Sequence, residues 1–127
     1  MKLRLQFNSI RLRLKRNEVT QFARTGRVEE KIISGTRDNE IFRYVLEATD
    51  TVSSPQGTVT SRGIKVQVPI ADAVRWVSTD QVGIEGEQLV NNRATLRILI
   101  EKDFACIDAT EEQNADTFPN PLVGTKC

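Results

Sequence analysis

The first fifteen residues, MKLRLQFNSIRLRLK, alternate apolar and basic side chains, break at Asn8-Ser9, and resume in the opposite phase. A period of two belongs to a strand, because successive side chains point to opposite faces. A fold for this chain has to put Leu3, Leu5 and Phe7 on the same side as Ile10, Leu12 and Leu14. Two local structures do so. One is a tight hairpin with Asn8-Ser9 at its tip, which pairs Phe7 with Ile10, Leu5 with Leu12 and Leu3 with Leu14. The other is a single long strand with a bulge. Asn accepts a positive φ at such a tip, and Ser does so less readily than Gly. Either structure gathers Lys2, Arg4, Gln6, Arg11, Arg13 and Lys15 on the opposite face. In the hairpin Arg4 faces Arg13 and Lys2 faces Lys15, and like charges directly opposite cost about 0.2–1 kcal/mol per pair. Solvent, carboxylates from a neighbouring strand or a bound anion must offset that cost.

The rest of the chain reads as an α+β domain: a curved, mostly antiparallel sheet of six to eight strands, possibly a half-barrel, with two short helices. Asn17 is placed as the N-cap of a helix over 17–25 that buries Val19, Phe22 and Ala23 and stops at Gly26. An irregular strand follows over 27–34, then a turn, then EIFRYVLEA, apolar in both phases as a central strand is. The polar stretch 49–63, with Pro55-Gln56-Gly57 as a turn signal, reads as a long hairpin tip or a mobile loop. IKVQV, 64–68, alternates cleanly. Pro69 starts a second helix to residue 78, with Ile70, Ala73, Val74 and Val77 at helical spacing and Trp76 off that stripe, at a core edge. Short strands flank Gly86, Asn91-Asn92 turns, and ATLRILIEKDF places Leu96, Ile98 and Ile100 in one phase with Arg97 and Glu101 in the other. No internal repeat shows in the sequence. The domain is set at 1–105, with 106–127 as an acidic, partly ordered tail carrying Asp108, Glu111, Glu112 and Asp116.

Composition narrows the chemistry. There is no histidine, which removes Ser-His-Asp and Cys-His nucleophile pairs and HExxH sites. Two distant cysteines, Cys106 and Cys127, make neither a disulfide framework nor an all-cysteine zinc site. Cys106 reads as buried or inert, because Asp103 and Asp108 beside it would raise its thiol pKa. No phosphate-cradling glycine loop occurs, so no cofactor is implied. The charged N-terminus is not an apolar leader, and no run approaches a membrane span, which places the chain in the cytoplasm. Charge is uneven: residues 1–37 hold ten Lys/Arg against three Asp/Glu, and residues 38–127 hold eight against fourteen. The candidate ligand site is thus the basic face of Lys2, Arg4, Arg11, Arg13 and Lys15, for a small anion or an acidic protein surface. Nucleic acid is disfavoured, since one Tyr and one Trp offer little stacking.

Two resemblances bear on function. NSIRLRLKRNEV, with EKDFAC and FPNP near the end, resembles a family of small bacterial proteins of unknown function over essentially the whole chain. That resemblance implies a bacterial cytosolic protein and supplies no activity or site. The alternation of basic residues on several strands is also similar to the tunnel of CYTH-type triphosphate hydrolases. Those begin with Glu-x-Glu-x-Lys where this chain has Lys2-x-Arg4, and the Glu-x-Glu of Glu85 and Glu87 is followed by Leu89 instead of a lysine. This departure puts metal-assisted hydrolysis in doubt. The leading expectation is a non-enzymatic binding domain. The alternatives are a phosphate-chemistry enzyme using Glu85, Glu87 or Glu101, and a structural subunit whose charged face is paired internally.

Overall fold

In the computed structural model, residues 1–104 are described. The opening stretch is a hairpin: β1 (Lys2–Gln6) pairs antiparallel with β2 (Ser9–Leu14). Its tip is Phe7-Asn8, not Asn8-Ser9, with φ of 49° and 55°. Positive φ at both central residues is the turn whose twist matches the flanking strands. The shift changes every partner: Leu5 pairs with Ile10, Leu3 with Leu12, Arg4 with Arg11 and Lys2 with Arg13. Bonds to a neighbouring strand hold the tip there. Asn8 Nδ2 donates to the Thr95 carbonyl at 2.9 Å, and the Asn8 carbonyl accepts from the Arg97 N–H at 3.1 Å. Phe7 is left exposed, outside the apolar face it was expected to join.

Helix α1 (Arg16–Thr25) is capped two residues earlier than the expected Asn17. Lys15 is its extended N-cap, and the Glu18 carboxylate accepts the Lys15 N–H at 2.9 Å. Gly26, at φ +73°, ends it and donates to the Phe22 carbonyl at 2.8 Å. There follow β3 (Arg27–Ile33), a 3₁₀ turn, β4 (Ile41–Thr49), β5 (Gln56–Thr60), β6 (Gly63–Pro69), α2 (Ile70–Ser78), β7 (Gly83–Asn91) and β8 (Ala94–Lys102). Of the two readings of 49–63 the hairpin holds in part: the stretch contains an edge strand, whose Gly57, Thr58 and Val59 pair with Val66, Lys65 and Ile64.

The eight strands form two sheets of four rather than one curved sheet or a barrel. Sheet A runs β1-β2-β8-β7 and sheet B runs β3-β4-β6-β5. All pairs are antiparallel except the central ones, β2 with β8 and β4 with β6. This plan repeats. A unit of hairpin, helix and hairpin occurs twice, and each unit gives one hairpin to each sheet. Equivalent residues in β2, α1 and β4 and in β6, α2 and β8 stand 54 positions apart, as Ile10 does from Ile64, Phe22 from Trp76 and Glu47 from Glu101. The registers agree: Ile10 lies beside Ile98, and Ile64 beside Tyr44. An internal repeat is therefore present where none showed in the sequence. The equivalents share chemical type more than identity (Arg11 with Lys65, Leu12 with Val66, Leu14 with Val68), so alternation masks them.

One core joins both sheets and both helices. Ile10, Leu12, Leu14, Leu46, Val66, Val68, Ile98 and Ile100 are buried together. At its centre the equivalents Phe22 and Trp76 meet edge to face, ring centroids 6.0 Å apart at 68°. Such a pair contributes about 0.5–1.5 kcal/mol beyond its buried area. Trp76 is fully buried, not at an edge, and donates its Nε1–H to the Val82 carbonyl at 3.0 Å. Helix α2 therefore buries Ala73 and Trp76, while Ile70 and Val74 of the predicted stripe stay exposed. No helix among the described residues is long and apolar enough to cross a membrane.

The open sides of this sandwich close differently in the two halves. On one side Pro55 packs against Gly86 so closely that a Cβ there would lie 2.8 Å from it. On the equivalent side the Met1 amine pairs with Glu18 and Glu30, and Tyr44 donates to the Met1 carbonyl at 2.9 Å. Burial opposes charge on both the amine and Glu18. The ion pairs outweigh it, holding the amine above its ordinary pKa and Glu18 below. Burial and the same carboxylates push the Tyr44 phenol up.

Candidate anion-binding face

Alternation sends Lys2, Arg4, Arg11 and Arg13 to the face of sheet A turned away from the core, beside the outward residues of β8 and β7. Register sorts them into rows. Arg4, Arg11, Leu99 and Glu85 form one row, and Lys2, Arg13, Glu101 and Gly83 the next. A third row holds Gln6, Ser9, Arg97 and Glu87. Lys2, Arg4, Arg11 and Arg13 line one groove of about 310 Å³. Arg11 also lines a broader depression of about 610 Å³ with Arg97, Glu85 and Glu87.

Two carboxylates pair with these cations. Glu101 Oε1 accepts from Arg11 Nε at 2.7 Å and from Arg13 Nε at 2.9 Å. Its side chain is only 13% exposed, and that burial would raise its pKa. The two guanidinium groups outweigh burial and hold it below the ordinary value of about 4.5. Asp103 pairs with Lys2 at 3.2 Å. Arg4 has no ion pair among the described residues and faces Arg11 directly. Four of the five expected cations thus share one site. Lys15 does not; it caps α1 and lines a separate depression with Arg16 and Arg24.

Glu101, Asp103 and Arg97 complete the charge pattern. The phase of β8 already sets Arg97 and Glu101 opposite Ile98 and Ile100, and only the parallel pairing of β2 with β8 puts Glu101 beside Arg13. The CYTH-type tunnel does not form. The space between the sheets is filled by apolar core, and the cations lie outside it. Glu85 and Glu87 share a face as expected, with Glu87 3.8 Å from Arg97. Among the described residues no three His, Cys, Asp or Glu side chains gather to hold a metal. Cys106, Cys127 and the acidic carboxylates of 106–127 lie outside the described residues.

These features define an α+β domain of two four-stranded sheets, built from a repeated hairpin-helix-hairpin unit and bearing a basic groove on one sheet. The chain belongs to the family described as "Family of unknown function (DUF7009)", whose family model matches residues 1–122. No curated protein and no solved structure matches it.

Proposed function

We propose that the chain is a non-enzymatic, cytoplasmic binding domain that takes a small polyanion of the phosphate type in the groove of Lys2, Arg4, Arg11 and Arg13. The observation that carries this reading is the convergence of four cations on one groove, with Glu101 and Asp103 the only carboxylates paired to them among the described residues. Glu101 holds Arg11 and Arg13 in place, so their remaining N–H groups are presented as forks that match phosphate oxygens. Arg4 supplies a guanidinium with no carboxylate of its own among the described residues. The lack of histidine and of any nucleotide-loop motif supports binding over catalysis.

Titration with inorganic triphosphate at low salt tests this. Saturable binding that weakens as salt rises, and that falls at least tenfold in Arg4→Ala without loss of the fold, is the expected result. Binding unaffected by Arg4→Ala, or none in the wild type, would return the face to a structural role.

A further inference from the structure

The repeat leaves one place filled in one half and open in the other. Lys102, near the end of β8, is the equivalent of Ala48 in β4, by the same spacing that relates Glu101 to Glu47. Lys102 places its Nζ 5.8 Å from the centroid of the Trp76 ring and donates it to the Thr79 carbonyl at 2.8 Å. The stem runs along the core, and the ammonium meets the negative end of α2. In the other half Phe22 stands for Trp76 and Thr25 for Thr79. The two threonines match in detail, since each donates its hydroxyl to the carbonyl four residues back, Gln21 and Arg75. Where the lysine stem would lie, Ala48 offers a methyl group. The result is an apolar groove of about 310 Å³ between α1 and α2, bounded by Phe22, Thr25, Ala48, Ile70, Val74 and Val77. Arg24, the basic residue in the last turn of α1, is turned toward Lys15 and Arg16 and does not line it.

We propose that this groove receives a lysine side chain of a partner polypeptide, its stem over Phe22 and its ammonium on the Thr25 carbonyl, as Lys102 sits in the other half. The cation is specified by the helix C-terminus and by the precedent inside the same molecule. A polypeptide, not a free amine, is specified by the rim. Ile70 and Val74 are 48% and 56% exposed, where the equivalent positions of α1 carry Arg16 and Thr20. A polypeptide can cover those two side chains as a free amine cannot, and four methylenes alone hold a ligand only at about millimolar affinity. The proposal is independent of the anion groove.

The test is an amide chemical-shift titration of the full chain. The probes are a doubly capped lysine, the matching capped norleucine, pentylammonium, and a capped Leu-Lys dipeptide. Saturable shifts at Phe22, Thr25, Ala48 and Val74 are expected with capped lysine. They should be several-fold weaker with norleucine, stronger with Leu-Lys than with pentylammonium, and absent in Ala48→Lys, which fills the groove from within. Ala48→Met serves as the blocked variant should Ala48→Lys fail to fold. Equal response to norleucine would overturn the ammonium assignment, and pentylammonium matching Leu-Lys would overturn the polypeptide. Shifts that grow with protein concentration alone would assign the groove to a second copy. The same shifts produced by Lys126→Met without any probe would assign it to this chain's own lysine. No shift in the wild type would overturn the site.

Discussion

The two sheets share one backbone plan and differ on their outward faces. Where sheet A carries Arg4, Arg11, Leu99 and Glu85 across one row, sheet B carries Thr58, Lys65, Val45 and Glu29. Where sheet A carries Lys2, Arg13, Glu101 and Gly83, sheet B carries Gln56, Gln67, Glu47 and Arg27. The glutamate is retained and its company changes. Glu101 sits between two arginines, while Glu47 accepts from Gln67 at 3.1 Å and pairs with Arg27 at 3.4 Å. Sheet B thus shows that these strands, this register and this parallel centre form with Thr and Gln at the places of Arg4, Arg13 and Lys2. The architecture does not require the extra cations of sheet A, which favours a reading in which they serve a ligand.

The largest expected effect breaks the two halves at their shared centre. Trp76→Ala should cost about 3–5 kcal/mol by chemical denaturation, from lost apolar contact and the lost hydrogen bond to the Val82 carbonyl, which keeps the Lys102 N–H as its other donor. Phe22→Ala should cost less, because its ring makes no such hydrogen bond. Equal costs would show that the bond to Val82 does not distinguish the halves. A smaller effect separates the two glutamates. Glu101→Gln should lose about 1 kcal/mol at neutral pH, as expected of a partly exposed ion-pair network, and Glu47→Gln less. Because the folded pKa of Glu101 is depressed, its contribution is present above its unfolded value of about 4.5 and lost as pH falls through the lower folded value. Urea titrations at neutral and acid pH should therefore bring wild type and Glu101→Gln together at low pH. A gap that persists there would assign the loss to packing. The smallest effect on stability comes from copying one face onto the other. Thr58→Arg with Gln67→Arg should change stability by no more than about 0.5 kcal/mol and add a second, weaker triphosphate site by calorimetry. An unchanged stoichiometry would mean that the site needs Lys2 or Asp103 as well.

The α+β class, the two helices and the basic face were legible because period-two and helical spacing are local signals. Leu3, Leu5, Ile10, Leu12 and Leu14 share a face as the alternation demands. The turn was not legible to the residue. Asn8 suits either central position, and the choice was made by its bonds to Thr95 and Arg97, far away in sequence. Strand β5 was hidden because an edge strand of Gln, Gly and Thr has a loop's composition. Helix α2 was misread because Ile70 and Val74 lie on its stripe without meeting the core, while Trp76 reaches across to Phe22. The repeat escaped because β2 and β6 keep only the class of each side chain. The groove of four cations needed only β1 and β2, but the roles of Glu101 and Asp103 needed the parallel pairing that no local pattern reveals.

That parallel pairing sets an order of events. Ile10 in β2 lies beside Ile98 in β8, so the β1–β2 hairpin is joined by the last of the described strands. At roughly 5–20 residues per second, the edge of β2 that pairs with β8 waits on the order of 5–20 seconds during synthesis. Sheet B has no such delay, since its strands come from the contiguous span of β3 to β6. An unpaired strand is a template for aggregation, and lysine and arginine at alternate positions are a known guard against it. The residues that line the basic groove in the finished molecule therefore stand, while the chain is still being made, as charges that guard the β1–β2 hairpin against pairing with another chain.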